Sequence, residues 1–447
     1  MEQDLTTGSV FKRIVYFSLP YLLSYFLQTL YGMADLFITG QFYGVDTITA
    51  VSNGSQIMHM MTVIIVGLAM GTTVTIGHSV GAKCMEQAEK IIGNTITLFM
   101  GIAVAFTVIL VALVKPIVVL IATPQEAVAG TSIYLLICFI GIPFITAYNI
   151  ISSIFRGLGD SKSPMYFIGI ACVMNIALDY LFMGAFHMGA AGAALGTVCA
   201  QTFSVLVALW VIRRRKTGIS LKKSDFKIER AVIGQVLKIG IPVALQDGFI
   251  QVAFMIITVI ANSRGVSDAA AVGVVEKVIS ALFIVPSSML ATVSALSAQN
   301  LGAGKEKRAT DTLHYATVIT TIYGMIVAVL IQFIAENVVG IFTSDTTVVT
   351  MGSAYIRSYI WDCIFAGIHF SFSGYFAACG KSYIGFLHNI ISITFVRVPG
   401  SYLASKYFTD TLYPMGLAAP AGSLVSVAIC VTAFILLKKK SRVAQTA

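Results

Sequence analysis

The chain has 447 residues, 57% of them hydrophobic and only 11% charged. Soluble domains carry about a quarter charged residues, so this composition excludes an ordinary soluble enzyme and indicates a polytopic membrane protein. The formal net charge of +9 does not point to nucleic acid, because the basic residues recur in every second loop instead of forming a basic domain.

Twelve apolar spans are predicted, over residues 14–39, 51–77, 91–114, 131–155, 164–186, 190–212, 234–262, 269–297, 312–334, 353–377, 384–406 and 414–437. All are read as helices, since an open strand leaves its backbone unsatisfied in lipid. The first is too long for the apolar core of a signal peptide and is read as an uncleaved span. One set of polar segments holds Lys12, Arg13, Lys83, Lys90, Arg156, Lys162, the cluster from Arg213 to Lys238, Lys305, Lys307, Arg308, Lys381 and the tail Lys438–Arg442. The opposite set holds only Lys115, Arg264 and Lys406. The rich set, with both termini, is expected on the cytoplasmic side. Its longest member, RRRKTGISLKKSDFKIER (213–230), lies between spans six and seven. It reads as a solvated topogenic linker, with anionic lipid as the alternative partner. The seven cysteines are scattered and make no C-x-x-C, so they read as small buried apolar residues.

The two halves repeat. SLP at 18–20 answers GIP at 240–242, and Gly81-Ala82 answers Gly302-Ala303. FRGLGDS (155–161) answers FAACGKS (376–382), and MGAAGAALG from Met188 answers MGLAAPAG from Met415. Six spans per half is an even number, so both halves enter the membrane the same way round. The expected fold is all-α: twelve transmembrane helices in two six-helix lobes related by a parallel pseudo-twofold axis, with substrate between them. The division is an N-terminal lobe 1–212, a cytoplasmic linker 213–233 and a C-terminal lobe 234–447.

Several polar residues do not belong in lipid, where they mark functional sites by default. The rise of 1.5 Å per residue places Asp35 of span one roughly 8 Å below the outer face. Asp179 of span five and Thr197 of span six each lie roughly 10 Å deep. Asn175 is one turn below Asp179, on the same helix face, and Gln201 is one turn below Thr197. Two carboxylates, an amide oxygen and a hydroxyl are hard oxygen ligands, as Na+ requires. Two carboxylates close together in low dielectric also hold a proton readily, so Na+ and H+ are competing readings of one site. Pro20, about four turns before Asp35, reads either as a hinge or as a static kink. Gln28 and Tyr31 of span one, Gln201 and Met61 are candidate lining residues of a substrate cavity.

In the second half Asp247, Glu276 and Lys277 form no coherent set. Asp362 of span ten and Arg397 of span eleven both fall near mid-membrane and are expected to form an ion pair, with Asp362 as a lure for a cationic substrate as the alternative. His369, two turns from Asp362, and Phe370, in the run FAGIHFSFSGYF (365–376), join Asp362 as candidate cavity residues. His369 itself reads first as a satisfied histidine, and His59 and His388 read the same way. No G-x-x-x-x-G-K-[ST], H-E-x-x-H or G-x-S-x-G occurs, so no enzyme chemistry is expected.

The stretches FSLPYLLSYFLQTLYGMADLFITGQFYG (17–44), GAKCMEQA (81–88), FRGLGDSKSP (155–164), NIALDYLF (175–182) and GAAGAALGT (189–197) resemble the MATE family (multidrug and toxic compound extrusion), in its DinF-like, MepA-like bacterial branch. The resemblance covers residues 8 to 440 and rests on the order and spacing of these motifs. It implies a V-shaped antiporter of the bacterial inner membrane with alternating access. It further implies export of lipophilic or cationic small molecules against Na+ or H+, with no other cofactor; a monomer is expected. The first-lobe cation site of that branch falls on Asp35, Asn175, Asp179 and Thr197, and its bending proline on Pro20. The second-lobe site of the NorM-like branch does not carry over, because QDGFIQ (246–251) lacks the span-seven glutamate. The alternative function is flipping of lipid-linked saccharides, as in the wider superfamily. It is disfavoured because the few basic residues within spans, Lys277, Arg357 and Arg397, all lie in the second lobe.

Overall fold

The computed structural model describes residues 4–214 and 220–446, with side chains described as far as residue 439. Residues 215–219 of the basic linker and the tail side chains from Lys440 onward lie outside the described residues. Among the described residues there are helices and no strands.

The first half runs α1 (Val10–Phe42), α2 (Val45–Gly81), α3 (Met85–Ala112) with the short α4 (Val114–Leu120), α5 (Val128–Ile140), α6 (Ile142–Gly157), α7 (Lys162–Asp179) and α8 (Gly189–Arg214). The second half runs α9 (Arg230–Asn262), α10 (Val266–Leu282), α11 (Ile284–Gly302), α12 (Glu306–Gly340), α13 (Thr346–Tyr359), α14 (Asp362–Ala378), α15 (Tyr383–Ser392), α16 (Val398–Tyr407) and α17 (Tyr413–Thr446). Taken as continuous or broken runs, these are the twelve expected spans, and the fold is a twelve-span helical membrane protein. Spans four, eight and ten are each broken in the middle, as α5–α6, α10–α11 and α13–α14. In span four the run Gln125–Ile140 meets Ile142–Gly157 at 51°.

Two of these breaks have a proline cause and a polar remedy. Pro143, in the first turn of α6, cannot donate to the carbonyl of Phe139. The Thr107 hydroxyl of α3 donates to that carbonyl instead, at 3.0 Å. Pro286 of α11 likewise leaves the Leu282 carbonyl without its helical donor, and the Tyr323 hydroxyl of α12 supplies one at 2.9 Å. In lipid an unsatisfied carbonyl has no water to turn to, so each break needs such a donor. Pro20, by contrast, sits inside an unbroken α1. Spans five and eleven carry another irregularity: α7 passes into a π turn at Tyr180–Ala185, and α15 into one at Ile393–Arg397.

The chain divides into two compact units. The first holds Val15–Ala244 and Ala298–Gly304, with the described residues up to Thr7. Its core packs Ile38 of α1, Val51 of α2, Tyr134, Leu135 and Phe139 of α5, Met183 of the π turn and Ala193 of α8. Within this unit α2 meets the start of α9 backbone to backbone: a Cβ on Gly71 would stand 2.0 Å from the Val236 carbonyl oxygen. Close approach of this kind is what small residues permit between membrane helices. The described part of the linker is strapped to α3. Asn94 donates to the Asp225 carbonyl at 3.1 Å and accepts from the Glu229 amide at 2.7 Å. Thr97 donates to the Phe226 carbonyl at 2.9 Å, and the Ser220 amide donates to Glu89 at 2.7 Å. The strap's backbone is thereby fixed, while most of its side chains remain exposed.

The second unit holds Gly8–Ile14, Leu245–Ser297 and the chain from Lys305 onward. Its core joins Val272 and Val275 of α10, Ala328 and Ile331 of α12, Tyr355, Ile356 and Tyr359 of α13, and Met415 and Ala419 of α17.

Candidate functional site

The strongest polar constellation lies inside the first unit and is built by three spans. Asp35 comes from α1, Asn175 and Asp179 from the last turns of α7, and Thr197 from α8. Asp35 is 2% exposed, and Asn175 and Asp179 are fully buried. Thr197 donates its hydroxyl to one Asp35 oxygen at 3.4 Å, and the Asn175 amide donates to one Asp179 oxygen at 3.4 Å. The two carboxylates are within hydrogen-bonding reach of each other. Asp35, Asp179 and Thr197, expected near one level, and Asn175, expected a turn below, lie close together.

Both hydrogen bonds are long for contacts to a carboxylate, which prefer about 2.7–2.9 Å. Three oxygens are left over: Asp35 Oδ1, Asn175 Oδ1 and Asp179 Oδ2 are buried with no hydrogen-bond partner. Buried acceptors without donors cost about 1–3 kcal/mol each, more when charged. An acceptor-only set of this kind is satisfied by a cation or by a proton. Among the described residues no group of three or more His, Cys, Asp or Glu is placed to hold a metal ion. The donor set is therefore the mixed one of two carboxylates, an amide and a hydroxyl, which suits a hard monovalent cation better than a transition metal.

The scaffold explains how the carboxylates come to face one another. The Tyr43 hydroxyl donates to the Met183 carbonyl at 3.0 Å and accepts from the Gly189 amide at 2.9 Å, tying the C-terminal end of α1 to the π turn and to the start of α8. The Thr39 hydroxyl donates to the Asp35 carbonyl at 2.6 Å. Gly196 of α8 makes the room: a Cβ there would stand 2.1 Å from Asp179 Oδ1. Gly196 and Tyr43 are functional neighbours that the sequence reading did not single out. The signal available was the small-residue spacing of Gly192 and Gly196 on α8, a helix-contact pattern.

The remaining candidates divide between the units. Tyr31, one turn before Asp35, buries a hydroxyl with no hydrogen-bond partner, and Gln201, one turn beyond Thr197, buries an unpartnered side-chain oxygen. Both extend the first-unit site. Gln28 is half-buried near Tyr148, and Met61 is half-buried. In the second unit, Asp362 is 1% exposed and both its oxygens lack partners. The ion pair expected between Asp362 and Arg397 is not closed. Arg397 donates instead to the Tyr359 hydroxyl, and its guanidinium lies over the rings of Phe254 and Tyr359 at 5.0 and 5.4 Å. The aromatic faces hold the cation in place of the carboxylate. His369 packs edge-on against Phe370 and against His388, with ring centroids 4.9 and 5.3 Å apart. His388 Nε2 meets the Ser373 hydroxyl at 2.9 Å, but the Nδ1 atoms of both histidines are unpartnered. They are not the fully satisfied histidines expected. His59 is exposed, as is Lys277.

Comparison with known proteins agrees with this architecture. The MatE family model matches the chain twice, over residues 20–181 and 242–403, once in each half. The chain is similar to the probable multidrug resistance protein YpnP of Bacillus subtilis (strain 168), with 30% identity over 415 residues, 93% of each chain. It is also similar to the multidrug export protein MepA of Staphylococcus aureus (strain bovine RF122 / ET3-1), at 24% identity over 83% of this chain and 82% of that one. A solved outward-facing structure of a multidrug resistance MATE family transporter of the MOP superfamily shares the fold. Its TM-score is 0.91 at 20% sequence identity, over 97% of this chain and 98% of that one. A duplicated family match, a twelve-span helical fold and relatives along nearly the whole chain lead to one conclusion: this protein belongs to the MatE family of multi-pass membrane transporters.

Proposed function

We propose that the protein exports lipophilic, mostly cationic compounds by antiport, with Na+ or H+ entering through the site of Asp35, Asn175, Asp179 and Thr197. One observation carries this reading. Three buried oxygens on two spans, Asp35 Oδ1, Asn175 Oδ1 and Asp179 Oδ2, converge without a donor among them. A coupling ion supplies the missing positive charge, and its departure leaves two carboxylates that repel in low dielectric. Occupied and empty states therefore favour different helix arrangements, as alternating access requires. The multidrug names of the relatives from Bacillus and Staphylococcus support the substrate class. The K/R pattern supports a bacterial inner-membrane location with both termini cytoplasmic. The protein acts as a monomer, with membrane lipids around it and a hinge at Pro20.

The test uses purified protein in liposomes loaded with ethidium, with a Na+ gradient and a proton gradient imposed separately. One gradient drives dye movement, and Asp35→Asn and Asp179→Asn each abolish it while folded yield stays near that of the parent. Movement that persists in both variants refutes the coupling role. No movement under either gradient removes the drug-export reading and turns the test to lipid-linked saccharides.

A further inference from the structure

We infer that the strap formed by residues 220–230 is a docking surface for the anionic phospholipids of the leaflet it faces, with Phe226 and Ile228 set among the acyl chains and Lys222, Lys223 and Lys227 against the headgroup phosphates. The inference goes beyond the export reading and does not rest on it.

Depth comes first. The strap is bonded to α3 through Asn94 and Thr97. Its backbone packs so closely there that a Cβ on Gly93 would stand 2.4 Å from the Asp225 carbonyl oxygen. Lys90 is the last charged residue of α3, and Thr97 lies roughly 10 Å further along the helix, inside its apolar stretch. The Phe226 carbonyl is held at that level by the Thr97 hydroxyl. The strap is therefore fixed where headgroups meet acyl chains. At the end of α8 that leads toward the strap, the Arg214 guanidinium lies over the Trp210 ring at 5.1 Å, and Trp210 is 58% exposed. An exposed tryptophan beside an arginine marks the same interfacial level.

At that level the strap presents both halves of a lipid-binding surface. Phe226 and Ile228 are 38% and 64% exposed, an arrangement unfavourable in water and favourable against acyl chains. Lys222, Lys223, Lys227 and Arg230 are exposed around them. Among the described residues none of the three lysines is in an ion pair. The acids do not cancel this charge. Asp225 is 6% exposed and turned inward, where it accepts from the Lys222 amide at 2.7 Å. Glu89 of α3 accepts from the Ser220 amide. Glu229 is the one exposed acid of the strap, against four exposed bases. A loop with a topogenic role alone needs neither the buried bonds to α3 nor the exposed Phe226 and Ile228. Lysine stems lie along acyl chains while the ammonium reaches phosphate, and each base near an anionic surface adds to binding. A zwitterionic headgroup brings its own cation, which the strap repels, so the preference is for anionic lipid.

The chain has two tryptophans, so full-length protein carrying Trp210→Phe, Trp361→Phe and Phe226→Trp has a single one, on the strap. It is reconstituted in phosphatidylcholine bilayers holding brominated phosphatidylglycerol or brominated phosphatidylcholine with the same acyl chains. The loss of fluorescence is followed against mole fraction. Both lipids quench, and the relative binding constant favours phosphatidylglycerol by about threefold or more. On the same protein the preference falls toward one in about 500 mM NaCl, which screens the lysines. It also falls toward one when Lys222→Gln, Lys223→Gln and Lys227→Gln are added, and it survives with Lys222→Arg, Lys223→Arg and Lys227→Arg instead. No quenching by either lipid places the strap in water and overturns the proposal. Equal quenching by both lipids at low salt, or a preference that the triple glutamine variant keeps, overturns it too. A preference removed by inorganic phosphate but not by chloride at the same ionic strength assigns the surface to a free anion, with the same consequence. Dye efflux is not a readout here, so each of these failures leaves the export reading intact.

Discussion

Gly196→Ala is the sharpest probe of the first-unit site, because it removes no ligand. The added methyl would stand 2.1 Å from Asp179 Oδ1, where ordinary contacts begin at 3.4 Å. The carboxylate or the helix must therefore give by about 1 Å. The backbone is the costlier choice, since α8 is packed against α7 along small residues. The short Asp179 side chain turns instead, and its two oxygens leave the position they hold beside Asp35. For the fold this is cheap: overpacking costs about 1–3 kcal/mol, and replacing a helical glycine by alanine returns roughly 1 kcal/mol. For a preorganised site it is expensive, since a displacement of about 1 Å can cost on the order of 100-fold in rate. Gradient-driven dye efflux should fall at least tenfold, with the detergent unfolding midpoint within a few degrees of the parent. Parent-like efflux from a folded Gly196→Ala protein would show that Asp179 need not sit where it does, and would refute the argument for a shared site.

Two further substitutions test the supporting structure. Thr107→Val removes the side-chain donor to the Phe139 carbonyl freed by Pro143, and should cost about 0.5–1.5 kcal/mol, read as a lower midpoint of thermal unfolding. Thr107→Ser should restore it, and an equal loss in the serine variant would place the effect in packing. Asn94→Ala strips the strap of two hydrogen bonds at about 1 kcal/mol each, so trypsin should cut near Lys222, Lys223 and Lys227 about thirtyfold faster. An unchanged cleavage rate would mean that Thr97 and Glu89 suffice to hold it.

The spans and the four oxygen-bearing residues were legible because both depend on position along a helix axis. Asp35, Asp179 and Thr197 could be put near one depth, with Asn175 one turn below, from the rise per residue alone. Rotation about the axis is another matter. The helices are apolar nearly all round, so nothing in the pattern says which way a given side chain faces. Asp362 and Arg397 illustrate this: similar depth suggested a bridge, yet Arg397 turned to Phe254 and Tyr359. The helix breaks follow the same division. Pro143 and Pro286 were visible as residues, but the donors that make a break tolerable, Thr107 and Tyr323, lie on other helices far off in sequence. Gly196 was legible only as a small residue, because its importance depends on which atom stands opposite.

The two π turns sit differently in the repeat. Each half carries one in its fifth span, Tyr180–Ala185 in one and Ile393–Arg397 in the other. Laying the halves over each other through their family matches, which begin at residue 20 and residue 242, brings the first π turn past the end of the second. The two rewindings therefore do not fall at equivalent positions of the two matches. One follows directly on Asp179, and the other ends on Arg397. In each half the fifth span is thus rewound beside a charge of opposite sign, so corresponding spans offer opposite electrostatic partners.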